Sequence, residues 1–263
     1  MGTHASADPK IPYFWDAKEQ LTAPQLDGNT RISFLTTLDF PPFNYIDDTG
    51  RPSGFHVDLA NAICRELNVV NRCSIQALPW QELEPALLAA NADAILAGLK
   101  PTAENRTRLS FGRPYLRFPA RFVAVNGGEL NDADPVRVSG RRIGVISGSA
   151  HEAMLRDYFP DAKVITFSRV DWLLSDLKSG KLDAAFGDGM QLSFWLGSSS
   201  SDNCCRFIGG PYLSDKYLGP GLSIVTSREN TTLNAALDYA LRELTSNGTF
   251  SELYLRYFPV SFY

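Results

Sequence analysis

The sequence predicts an α/β protein in which two strand-and-helix units follow one another. Short apolar runs alternate with helical periodicities between Ile32 and Ala97, and the same alternation starts again near residue 141. The chain also has 263 residues and 44% hydrophobic content, enough for one large core or two of modest size.

The first strand is Ile32-Ser33-Phe34-Leu35-Thr36, closed by the turn-rich Asp39-Phe40-Pro41-Pro42-Phe43. Asp48-Thr49-Gly50 with Pro52 and Gly54 predicts a hairpin-like excursion. From about Val57 a helix is expected, because Leu59, Ile63 and Leu67 recur at i, i+4, i+8 with Ala60 and Cys64 beside them. Cys73–Leu78 reads as a strand stopped by Pro79, Gln81–Ala90 as a helix with Leu83, Leu87 and Leu88 inward, and Asp93–Ala97 as a third strand. In the second unit Arg142–Ile146, Val164–Phe167 and Ala184–Gly187 read as strands, and His151–Phe159 and Trp172–Lys178 as helices. Two amphipathic helices close the chain, one on Leu233, Leu237, Ala240, Leu241 and Leu244, the next on Leu253, Tyr254 and Tyr257, with Asn247-Gly248 between them as a stop. They read as cover for the first unit. Residues 1–29, with Pro9, Pro12 and Pro24 and little periodicity, read as an extension packed loosely on it. In α/β sheets ligands bind beyond the carboxyl ends of the strands, so two such edges facing each other predict a cleft for a small molecule.

Composition excludes several classes. A net charge of -4 offers no basic footprint for nucleic acid. No run of about 18 apolar residues suggests a membrane helix. The start, Met1-Gly2-Thr3-His4-Ala5, lacks the basic and apolar regions of a signal peptide, so an exported protein with this start is expected to be a mature form with its leader replaced. The four cysteines do not have zinc spacing: Cys64 and Cys73 stand nine apart, Cys204 and Cys205 are adjacent, and no His pair is near. A local Cys64–Cys73 disulfide fits better than two buried thiols. The adjacent pair reads either as a vicinal disulfide or as one buried and one exposed thiol. Gly209-Gly210-Pro211 and Gly219-Pro220-Gly221 have no phosphate-loop spacing.

Several strings, in order, carry a resemblance. They are Asp39-Phe40-Pro41-Pro42-Phe43-Asn44-Tyr45 followed by Gly50 and Gly54-Phe55-His56-Val57-Asp58-Leu59-Ala60; Trp80 with Leu83 and Leu87; Asp93–Leu99; Phe111-Gly112-Arg113-Pro114-Tyr115; Gly144–Ser149; Lys181–Asp188; and Gly248-Thr249-Phe250. Over about Ile32 to Phe258 the chain resembles family 3 extracellular solute-binding proteins, the periplasmic receptors of polar amino-acid ABC transporters. The resemblance implies an α/β, two-lobed type II periplasmic binding protein fold with a hinge of two crossover strands. Lobe one would comprise residues 1–117 and 219–263, and lobe two, inserted, residues 118–218. It further implies a monomer in the periplasm, an inner-membrane permease as partner, an amino acid or related amine as ligand, and no cofactor or metal.

It also implies a site, residue by residue. Asp188, at a strand end, would hold the ligand's α-ammonium, since an ammonium taken out of water needs an opposite charge and acceptors; the same residue reads as a helix N-cap ahead of Gly189. Phe40 and Trp80 would form aromatic walls, and Asp39 would face the ligand side chain or cap a turn. Ala97, Gly98 and Leu99 would offer main-chain groups, as would Ser149 and Ala150, the last ahead of a helix whose first N–H groups are unpaired. The family's Thr-x-x-Arg, whose arginine grips the α-carboxylate, is altered here. Counting back from Phe111 puts Asn105 on that place, with Arg106 one step later and Lys100 where Ser or Thr is frequent. Two accounts stand open: Arg106 grips the carboxylate with help from Lys100, or Asn105 marks a ligand without one. A dehydratase-like enzyme on the same fold, or a sensor domain of a membrane receptor, are the alternatives. Of the three histidines, His4 lies in the extension, His56 reads as a surface or capping residue at a helix start, and His151 borders the second strand edge without an evident partner base or nucleophile.

Overall fold

The computed structural model describes residues 21–24, 26, 29–258 and 260–263. The expected extension over residues 1–29, and His4 with it, falls largely outside the described residues. In chain order the elements are β1 (Ile32–Thr36), β2 (Asp39–Phe40), β3 (Asn44–Ile46), β4 (Pro52–Ser53), α1 (Phe55–Glu66), β5 (Cys73–Ala77), α2 (Trp80–Leu88), β6 (Ala94–Ile95) and β7 (Leu109–Phe111). There follow β8 (Ala120–Val125), α3 (Pro135–Val138), β9 (Arg142–Ile146), α4 (Ala150–Tyr158), β10 (Lys163–Phe167), α5 (Val170–Lys178), β11 (Ala184–Asp188), α6 (Gly189–Leu196), β12 (Cys205–Tyr212) and α7 (Asp215–Leu218). The chain ends on β13 (Val225–Ser227), α8 (Thr231–Ser246) and α9 (Thr249–Tyr257).

Two units divide this chain. The first holds the described residues up to Leu116 together with Gly221–Tyr257; the second, inserted into it, holds Arg117–Pro220 and Phe258–Tyr263. In the first unit a sheet runs β5-β1-β6-β13-β7. β1 is parallel to β5 and β6, and β13 is antiparallel to β6 and β7. α2 covers one face through Leu83 and Leu87, packed with Leu35, Ile95, Leu109 and Val225. α8 buries Leu233, Ala236, Leu237, Ala240, Leu241 and Leu244, an unbroken i, i+3, i+4 stripe, and packs with α9 against α1. Arg256 and Tyr257 of α9 both donate to Asp58 of α1, each at 2.8 Å. The chain leaves and re-enters this unit as a paired ladder: Leu222 N–H donates to Leu116 O at 2.7 Å and Tyr115 N–H to Leu222 O at 2.9 Å.

The inserted unit repeats the plan with the order β10-β9-β11-β8-β12. β9 is parallel to β10 and β11, while β8 is antiparallel to β11 and β12. α4 seals one face around Phe122, Met154, Leu155, Phe159 and Phe186. α5 and α6 seal the other around Leu173, Leu177, Leu182 and Leu192. Residues 258–263, assigned with lobe one from the sequence, group with this unit instead. Phe258 and Phe262 are fully buried and meet edge-on at 5.3 Å, and the buried Arg121 donates to Phe262 O at 3.1 Å. Burial of two large rings, about 1.5–3 kcal/mol each, outweighs continuity with α9. Disulfides join Cys64 to Cys73, at α1 and the start of β5, and Cys204 to Cys205 at the start of β12. No helix among the described residues is long and apolar enough to cross a membrane.

Candidate functional site

In the first unit the predicted residues gather where β1, β5 and β6 end. A pocket of about 340 Å³ is lined by Thr37, Leu38 and Asp39 after β1, by Leu78 and Pro79 after β5, and by Trp80, the first residue of α2. Asp39 is exposed, and Trp80 keeps 45% of its surface open. Phe40 lies stacked on the buried Phe43, ring centroids 4.8 Å apart, which fixes its ring plane while leaving 38% of it in solvent. Exposed aromatic surface beside an exposed carboxylate suits a cation with apolar character. Ala97 is buried at the end of β6, and Gly98 follows with φ +84, a backbone angle that side chains rarely tolerate. A Cβ there would sit 4.0 Å from the Phe40 ring, so the 97–99 segment runs alongside that aromatic.

The loop that follows departs from expectation in an informative way. Asn105 is buried, and its side chain is spent locally: Oδ1 accepts from Thr102 N–H at 2.8 Å and Nδ2 donates to Lys100 O at 3.0 Å. Thr102 Oγ1 returns a bond from Asn105 N–H at 3.1 Å. Lys100 and Arg106 are exposed. The Arg106 guanidinium lies 5.9 Å from the Phe111 ring centroid, at the edge strand of the sheet, and is not among the residues lining the Asp39 pocket. Arg108 pairs with Glu84 of α2 at 2.7 Å.

In the inserted unit the ends of β9 and β11 carry the remaining predicted residues. Asp188 ends β11 and caps α6, one oxygen accepting from Gln191 N–H at 2.7 Å. The N-cap reading of this residue is the one its contacts show, with one carboxylate oxygen engaged in the cap. Ser149 caps α4: its Oγ accepts from Glu152 N–H at 3.1 Å and donates to Ile146 O at 2.7 Å. Glu152 reaches back to Gly148 N–H, one residue ahead of the cap, at 2.7 Å, and that bond with Arg156 holds its carboxyl below the usual range. Ala150 is exposed at the first helical position, where an amide has no partner within the helix.

Two histidines take definite places. His56 is not at the surface. It is 1% exposed; Tyr115 Oη donates to its Nε2 at 2.8 Å, while its Nδ1 faces Asn44 Oδ1 at 2.5 Å, and Asn44 Nδ2 donates to Thr37 Oγ1 at 2.9 Å. Burial pushes it down to about 3, so it stays neutral. Its partners lie 12 and 59 residues away, beyond any local cue. His151 sits in the first turn of α4, edge-on to Phe186 of β11 at 6.4 Å between centroids. Burial lowers its proton affinity, and the nearby Asp188 charge acts in the opposite sense. Sequence reasoning missed Thr37, Leu38, Leu78 and Pro79 as lining; the strand-to-turn transitions at Thr36 and Ala77 were the available signal.

Each unit thus presents a carboxylate at the carboxyl ends of its strands. The model of bacterial extracellular solute-binding proteins, family 3, matches residues 32–260. The chain is 31% identical over 228 residues to the putative ABC transporter arginine-binding protein 2 of Escherichia coli (strain K12), covering 86% of this chain and 90% of that one. It is 30% identical over 246 residues to the L-arginine-binding protein of Pseudomonas aeruginosa, covering 92% and 93%. Among solved structures, the L-cystine solute receptor of Neisseria gonorrhoeae in its unliganded open conformation is similar with a TM-score of 0.74 at 18% identity, covering 88% of this chain and 94% of that one; this likeness gives the fold, that of type II periplasmic binding proteins. With the family pattern running from β1 to the C-terminal tail, and with α/β units of the matching fold, the chain belongs to the bacterial extracellular solute-binding proteins of family 3.

Proposed function

We propose that this chain is a non-catalytic periplasmic receptor that captures a basic amino acid and delivers it to the permease of an ABC transporter. The observation that carries the reading is the presence of one carboxylate at the strand ends of each unit, Asp188 in one and Asp39, beside Phe40 and Trp80, in the other. A basic amino acid has two cationic groups, and each needs a counter-charge once water is removed. In this reading Asp188 takes the α-ammonium, and Asp39 takes the side-chain cation between the aromatic faces. The α-carboxylate is met by main-chain groups of Ala97–Leu99 and of Ser149 and Ala150, with Lys100 and Arg106 as the cations. The names of the two relatives support arginine. Closure about the strands near Leu116 and Gly221 would carry the protein from open to liganded form as a monomer.

Titration calorimetry with L-arginine, L-lysine, L-histidine, L-glutamine and agmatine tests this. L-Arginine or L-lysine is expected to bind tightest. Asp188→Ala should lose about 100-fold or more, roughly 2.7 kcal/mol. Asp39→Ala should weaken the basic amino acids and leave L-glutamine nearly unchanged. Retention of affinity within about tenfold in Asp188→Ala would reject the assignment.

A further inference from the structure

The inserted unit holds a second titratable group beside the proposed ammonium partner. His151 and Asp188 come from different elements, the first turn of α4 and the end of β11, and are brought together by the packing of that helix on that strand. The imidazole is partly buried and edge-on to Phe186, which stands two residues before Asp188 on the same face of β11. Asp188 spends one oxygen on the α6 cap. We infer that His151 tunes the solute site: once protonated, it competes with the solute's ammonium for the Asp188 carboxylate, so that solute is held at neutral pH and released in acid. The inference rests on the reading of Asp188 given above.

The other charged groups around α4 are engaged elsewhere. Glu152, on the helix itself, is held by Gly148 N–H and Arg156. From α7, Lys216 and Tyr217 both reach Asp157, nearly two turns further along. On β9, Arg142 pairs with Asp183 at the start of β11, and Lys163 stands at the start of β10 in register with Arg142. From β12, Tyr212 donates to Ala133 O. Arg121 of β8 donates to Phe262 O and Gly209 O. Asp188 is therefore the carboxylate that answers to His151.

The sign follows from charge alone. Burial favours the neutral ring, and Asp188 favours the protonated one. A bound ammonium occupies Asp188 and repels a second positive charge, so binding expels the His151 proton. Affinity is then flat where the ring is already neutral and falls by up to about tenfold per pH unit where it is protonated in the free protein.

The test combines imidazole NMR with binding across pH 4.5 to 8, using L-arginine as the probe. In the free protein, the resonance lost in His151→Gln identifies the ring. Its pKa is expected to fall in Asp188→Asn, a readout that needs no ligand. In wild type, L-arginine affinity should decline in acid, and His151→Gln should lose that decline whatever its affinity at neutral pH. An unchanged imidazole pKa in Asp188→Asn, a wild-type affinity without acid dependence, or the wild-type slope persisting in His151→Gln would each overturn the inference. Failure of the Asp188 reading looks different: Asp188→Asn would bind L-arginine as wild type does at pH 7.5, while the imidazole shift would still report the pair.

Discussion

Asn105, which the count back from Phe111 sets on the place expected for a carboxylate-gripping arginine, has its amide consumed by the loop that carries it. It bridges Thr102 N–H and Lys100 O, so it orders residues 100–105 and leaves no side-chain group in common with the arginine's role. Replacing it strands two partly buried backbone groups, which costs about 1–3 kcal/mol. Asn105→Ala is therefore expected to lower stability by that amount in urea unfolding. Arg106→Ala removes only an exposed contact with Phe111, worth about 0.5–1 kcal/mol. If Arg106 meets the solute's carboxylate, the same change lowers L-arginine affinity at least tenfold and leaves agmatine, which has no carboxylate, unaffected. Equal losses for both solutes would remove Arg106 from the site. These two neighbours look interchangeable in a one-dimensional count from Phe111. They separate only once the burial of one and the exposure of the other are known.

At the scale of elements, the entry to α1 depends on one backbone position. Gly54 has φ +126, and a Cβ built on it would lie 2.3 Å from Phe43 O. Phe43 in turn carries the stacked Phe40, so this contact ties a helix start to an aromatic that the proposed function assigns to the solute. Gly50, in the hairpin turn, also has positive φ (+78) but meets nothing within 4 Å. Gly50→Ala should therefore cost about 1 kcal/mol from its φ alone, whereas Gly54→Ala adds a backbone clash and should cost about 2–4 kcal/mol. It should also weaken solute binding by displacing Phe40. Equal destabilisation of the two variants would mean the helix start moves freely away from Phe43. The parallel strands and the helices on them were legible because their apolar periodicity is local: β5, β9, β10 and β11 lie within a residue or so of expectation. β7, β8, β12 and β13 were not, since β12 pairs with β8 about 80 residues away and β13 pairs with β7 over more than 110. Their identity as strands comes from partners rather than from their own pattern. The carboxylate at position 188 was legible for the opposite reason: it sits at a strand end that the local pattern already marked.

The whole molecule is two cores on one chain, and the two disulfides do not serve them alike. Cys64–Cys73 closes a loop of nine residues between α1 and β5, both in the first unit. A cross-link of that span removes unfolded-chain entropy worth about 2–3 kcal/mol. Cys204–Cys205 joins neighbours in the inserted unit, so it restricts only one peptide link and little of the unfolded chain. Cys64→Ala with Cys73→Ala should thus lower the calorimetric transition of the first unit by that amount and leave the inserted unit's own stability untouched. Cys204→Ala with Cys205→Ala should change either transition by less than about 1 kcal/mol. The proposed function gives the solute a contact in each unit. A ligand that draws contacts from Asp39 in one unit and Asp188 in the other stabilises only the state with both folded. At about 100 times its dissociation constant it adds about 2.7 kcal/mol. L-arginine should therefore raise and merge the two transitions, and it should narrow the gap that loss of Cys64–Cys73 opens between them. A ligand shift confined to one transition would mean that a single unit supplies the whole site.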